Sequence, residues 1–105
     1  MSVNPWAGEV SLTLDGQAHR MKLTLGALAE LEASLQAESL LDLVERFEAG
    51  GFTALELLKL LSAGLRGGGT DISPEDLAAA DIEGGPMEAA RAGARLLALA
   101  FGPNA

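Results

Sequence analysis

The sequence predicts an α+β domain, an N-terminal β-hairpin followed by four to five helices packed on its apolar face. Three observations carry this. Val10, Leu12 and Leu14 alternate with polar residues, and so do Met21, Leu23 and Leu25, which is the period of a half-buried strand. Asp15-Gly16 lies between the two runs and has turn chemistry. Beyond Leu25 the apolar spacing lengthens to three and four residues, the helical period. Leucine and alanine dominate while aromatics make up only 4%, which favours packed helices over a β-sandwich.

At 105 residues the chain suffices for one core, so residues 1–105 are read as a single domain. Residues 1–7 lack periodicity and read as a flexible arm. Trp6, the only tryptophan, has two readings: its indole lids one end of the core, or it anchors a partner, since tryptophan is enriched at binding hot spots.

Parity constrains the hairpin. An odd loop would set Val10 and Leu12 opposite Lys22 and Arg20 and mix the faces. A two-residue loop sets Val10 opposite Met21; a four-residue loop sets Leu12 opposite Met21 and Val10 opposite Leu23. Both keep one face apolar, so the loop length is even. Glu9, Ser11, Thr13, Arg20, Lys22 and Thr24 then line the solvated face. Two strands alone are marginal, so helices must cover the apolar face. The outer edges keep unpaired backbone groups unless something else pairs with them.

Thr24 has the chemistry to cap a first helix over about Leu25–Leu35, with Leu28, Leu31 and Leu35 inward. Ser39 caps a second, whose buried stripe is Leu40, Leu43, Val44 and Phe47, and Gly50-Gly51 ends it with a left-handed turn. Thr53 and Glu56 form a capping box for a third. Its leucines at 55, 57, 58, 60, 61 and 65 cover more than half the circumference, so this helix is expected to be the most buried. Gly67-Gly68-Gly69 terminates it. Ser73-Pro74-Glu75-Asp76 combines a cap, a proline at the first position and acids at the positive end of the dipole; it starts a short helix ending near Asp81. Gly84-Gly85-Pro86 opens the last helix, over about Pro86–Phe101, whose expected inner stripe is Met87, Ala90, Ala94, Leu97, Ala98 and Phe101.

Net charge is -8, and the seven Lys and Arg are scattered, so a direct nucleic-acid binder is not expected. Cysteine is absent, so disulfides and thiolate metal sites are excluded. The N-terminus lacks a basic segment followed by an apolar run, and the most apolar stretch, Ala54–Leu65, is interrupted by Glu56 and Lys59. No membrane association is expected, and a cytoplasmic location is.

Site chemistry is sparse. His19 is the only histidine and sits beside the turn, with no nucleophile elbow; parity points it toward Leu12 or Leu14 or the edge of the apolar side, so a structural or merely exposed role is favoured over catalysis. Asp81 with Glu83, and Asp71 with Glu75 and Asp76, have hard-cation chemistry, but the alternating oxygens of a calcium loop are missing, and helix capping explains them. Gly64 to Thr70 echoes a phosphate loop but lacks the lysine and leaves a helix instead of entering one; it reads as a flexible helix stop. Glu38, Asp42 and Glu45 form the one acidic stripe at helical spacing, either a solvated face or a surface for a basic partner. No catalytic, cofactor or metal residue is assigned, and an enzyme is not expected.

Asn4-Pro5-Trp6-Ala7-Gly8-Glu9, Leu12-Thr13-Leu14-Asp15-Gly16 and Leu23-Thr24-Leu25-Gly26-Ala27-Leu28-Ala29-Glu30-Leu31-Glu32 resemble the small tail protein of gene transfer agents and related phages. Ala63-Gly64-Leu65-Arg66-Gly67-Gly68-Gly69 and Ile82-Glu83-Gly84-Gly85-Pro86-Met87 are similar to it as well. That family is variously described as a tail tube protein and as a tail assembly chaperone. The resemblance implies a role in tail morphogenesis with tape-measure or tube subunits as partners, and self-association as a further possibility. Tube subunits stack as rings and generally need a β-sandwich whose strands continue across subunits, which one hairpin cannot supply. The chaperone reading is therefore preferred, with the hairpin edge, Trp6, Phe101 and the Glu38, Asp42, Glu45 stripe as partner surfaces. A structural tail tube component and an acidic regulatory module that binds a basic protein are the alternatives.

Overall fold

The computed structural model describes residues 8–101. The elements run β1 (Glu9–Leu14), β2 (Gln17–Lys22), α1 (Leu25–Leu35), α2 (Leu40–Glu48), α3 (Ala54–Gly67), α4 (Pro74–Ala79) and α5 (Gly85–Phe101). The α+β expectation holds, with five helices after the hairpin among the described residues.

β1 and β2 pair antiparallel with Val10 opposite Met21 and Leu14 opposite Gln17, so the loop has two residues. Asp15 (φ 50°) and Gly16 (φ 83°) both adopt positive φ, the mirror-image turn whose twist matches that of the strands. Val10, Leu12, Leu14 and Met21 are buried on one face. The alternation stops earlier than its pattern suggests. Leu23 is still buried, but Leu25 is 78% exposed, because α1 begins at Leu25: Thr24, still extended, is its N-cap and its hydroxyl accepts from the Ala27 N–H.

The helix starts follow their capping residues. Ser39 accepts from Asp42, Ser73 accepts from Asp76, and Thr53 with Glu56 closes the reciprocal box of α3. In α1, Leu28, Leu31 and Leu35 point inward as expected. In α2, Leu43 and Phe47 are buried and Val44 is half-buried, while the side chain of Leu40 lies outside the described residues. Phe47 stacks on Phe52 at 5.1 Å between ring centroids.

α3 is the centre of the molecule, packing on β2, α1, α4 and α5. Residues 60–65 are all buried, whereas Leu55, at the outer end, is exposed. α5 covers β1, so α3 and α5 together roof the apolar face of the hairpin.

The inner stripe expected for α5 is corrected. Its buried residues are Ala89, Ala92, Gly93, Leu96 and Leu97. Met87 is 68% and Phe101 37% exposed, Ala94 and Ala98 are exposed, and Ala90 is half-buried; of the expected stripe only Leu97 is buried. The helix is rotated by about one residue because its seat is tight. A Cβ on Gly93 would stand 2.9 Å from Leu57 Cδ1 and 3.1 Å from Leu60 Cδ2, so the side facing α3 must be small.

Both sheet edges are engaged. On the β1 edge, Leu14 bridges Ile82, Asp15 N–H donates to Asp81 O (2.8 Å) and Glu83 N–H donates to Thr13 O (3.0 Å). The Asp15 carboxylate accepts in turn from the Asp81 N–H (2.9 Å). On the β2 edge, Gly67 and Gly68 at the end of α3 lie directly on the strand. A Cβ at Gly67 would collide with Lys22 O, and one at Gly68 with Arg20 O. These glycines end the helix as expected. They also permit a helix-on-strand approach that no other residue allows.

Candidate partner-binding surfaces

The residues singled out for partner binding do not converge. Trp6 lies outside the described residues. Glu38 and Glu45 are exposed near and on α2, but Asp42 is half-buried and used locally. Its backbone N–H donates to Ser39 Oγ, its carboxylate accepts from Glu38 N–H (3.1 Å), and the same carboxylate lies 3.5 Å from Arg46 Nη2. Within the stripe, Asp42 serves the start of α2 while Glu38 and Glu45 face solvent. Phe101 closes α5 at the surface instead of its inner stripe.

Arg46 is a joint that periodicity does not reveal. Its Nη1 donates to Leu35 O at the end of α1 (3.0 Å) and to Glu56 Oε2 (3.1 Å). The other oxygen of Glu56 accepts from Thr53 N–H (2.8 Å). One guanidinium therefore ties the end of α1, the body of α2 and the start of α3. The signal was an arginine in an otherwise acidic helix with an acid four residues before it.

His19 is half-buried opposite Leu12, as parity required, with Nδ1 3.3 Å from Thr70 Oγ1. Its neighbour is the loop leaving α3, so the ring packs as a structural contact. Asp81 and Glu83, weighed as cation ligands, use their backbones to pair with β1. Asp76 lies in the first turn of α4, where its N–H is capped by Ser73. Among the described residues no group of three or more His, Asp or Glu is placed to hold a metal ion.

A pocket of about 240 Å³ opens between α1, α3 and the start of α4, lined by Glu30, Leu31, Lys59, Ala63, Arg66 and Pro74 among others. Its charges are already engaged. Arg66 pairs with Glu30 (2.9 Å) and lies 3.8 Å from Asp71, and Lys59 Nζ donates to Ser34 O (3.4 Å). Ser62, a buried residue of the same lining, donates to Ile72 O.

The hairpin edge is smaller than expected as a docking strand. Gly67 and Gly68 occupy the β2 side, and residues 81–83 occupy the turn end of β1. The free surface is instead apolar and helical: Leu41 on α2 is 67% exposed, and Met87 on α5 is comparably open. Periodicity marks both faces of α5 as apolar, so it does not say which one is buried.

No helix among the described residues is long and apolar enough to cross a membrane. No curated protein and no solved structure is similar enough to this chain to match it. One family model does match, over residues 7–103, and its description is "Phage tail tube protein, GTA-gp10". That match spans the hairpin, all five helices and both tight glycine contacts, and the chain therefore belongs to this phage tail protein family.

Proposed function

We propose that this chain acts as a tail assembly chaperone, holding tape-measure or tube subunits until they polymerise, and is not itself a wall subunit of the tube. The supporting observation is the state of its sheet. Only two strands are present among the described residues, and both outer edges carry contacts from the chain's own α3 and from residues 81–83. A ring built by strands running on from subunit to subunit needs open edges, and here a helix end sits on one of them. The exposed helical faces of α2 and α5 suit transient protein contacts instead.

The structural tail tube reading keeps the family description in its favour. Mass spectrometry of purified particles separates the two. A chaperone co-purifies with tape-measure or tube protein from producing cells and is absent from finished particles. Finding the chain in stoichiometric amount in the particles would establish the structural reading in its place.

A further inference from the structure

Two outward helix faces are complementary. On α5, Met87, Ala90, Ala94, Ala98 and Phe101 recur at intervals of three and four residues and form one apolar strip. Arg91 and Arg95 run along its side, both exposed. Arg91 is 3.6 Å from Glu88, a pair of the exposed kind that contributes little. Arg95 has no ion-pair partner among the described residues. This is a cationic, apolar face on a chain of net charge -8.

The outward face of α2 has the opposite character. Leu41, Glu45 and Glu48 share it, with Glu38 just before the helix. Leu41 is 67% exposed, and Glu45 and Glu48 make no ion pair among the described residues. A leucine framed by acids faces solvent on one helix, and an alanine-lined strip framed by arginines faces it on another.

We propose that copies of this chain associate by seating the α2 face of one copy on the α5 face of the next. The alanines let a second helix approach closely. Leu41 packs against the strip between Met87 and Phe101, and Glu45 and Glu48 meet Arg91 and Arg95. Because every copy carries both halves, the contact joins like to like without any other partner. It is independent of the chaperone reading, since the isolated chain should display it. A contact of one helix face lies at the small end of specific interfaces, so the dissociation constant is on the order of tens to hundreds of micromolar.

Sedimentation velocity on the full chain, across concentrations bracketing that range, tests the proposal. The wild type should associate with concentration, and added salt should weaken the association. Arg91→Glu with Arg95→Glu, and separately Glu45→Arg with Glu48→Arg, should each weaken self-association by about tenfold or more. An equimolar mixture of the two variants should associate again, since each then offers the charge the other lacks. Circular dichroism verifies their folding, and the glutamine versions of the same four positions replace any variant that fails. A wild type that stays monomeric throughout overturns the proposal. So do salt-insensitive association, sensitivity to one face only, and a mixture that does not restore binding.

Discussion

Gly67 and Gly68 are where single residues decide most. Each sits against a strand carbonyl, Lys22 O for Gly67 and Arg20 O for Gly68, so the obstacle to a larger residue is backbone. A methyl group there cannot be accommodated by rotating a side chain. Gly67→Ala or Gly68→Ala should therefore lift the end of α3 off β2 and destabilise the fold by about 2–4 kcal/mol. Gly51→Ala, where no atom lies within 4 Å of the new carbon and φ is not positive, should change stability far less. Urea unfolding of the three variants checks this, and a neutral Gly68→Ala would mean that the helix end does not rest on the strand. The same residues show the limit of reading glycine as punctuation. A run of three predicts that a helix stops, but which of them touches another element depends on what arrives from elsewhere in the chain.

At the scale of elements, α2 and α5 behave differently. α2 packs on α1 and α5, and Arg46 joins it to both its sequence neighbours. Arg46→Met keeps most of the side chain's bulk but leaves Leu35 O and Glu56 without their shared donor. The expected cost is about 1–3 kcal/mol, with faster amide hydrogen exchange concentrated in residues 40–48. Exchange that rises equally everywhere would argue against a local joint. The orientation of α5 is tested by a pair of neighbours on opposite faces. Ala92, fully buried, should lose about 2 kcal/mol or more when changed to Gln, whereas Ala94→Gln, on the exposed side, should stay within about 0.5 kcal/mol. The reverse order of stabilities would restore the stripe expected from sequence.

At the scale of the whole molecule, one leucine-rich core runs, among the described residues, from the hairpin through α3 to α1 and α5. The single-domain expectation becomes a thermodynamic one: far-UV circular dichroism and core-amide exchange should report one coincident urea transition. Two separated transitions would show that α1 and α2 form a unit apart from the hairpin, α3 and α5. Function belongs to this scale too. The described surface offers exposed helix faces and a small pocket whose charges are satisfied internally, which fits a protein that binds other proteins.

Local chemistry was legible without coordinates. Alternation placed the hairpin and its apolar face, hydroxyl caps placed four helix starts, and glycines placed the stops of α2 and α3, because each depends on residues within a turn or two of one another. The leucine density of α3 likewise marked it as central. The tertiary structure alone decided three things: which even loop length the hairpin uses, which of two apolar faces of α5 is buried, and how the strand edges are closed. Each of these turns on distant partners. Asp15 is held by Asp81, Gly93 fits against Leu57 and Leu60, and Gly68 against Arg20. Periodicity reports that a face is apolar but carries no information about what stands opposite, and close packing, not hydrophobicity, makes the choice.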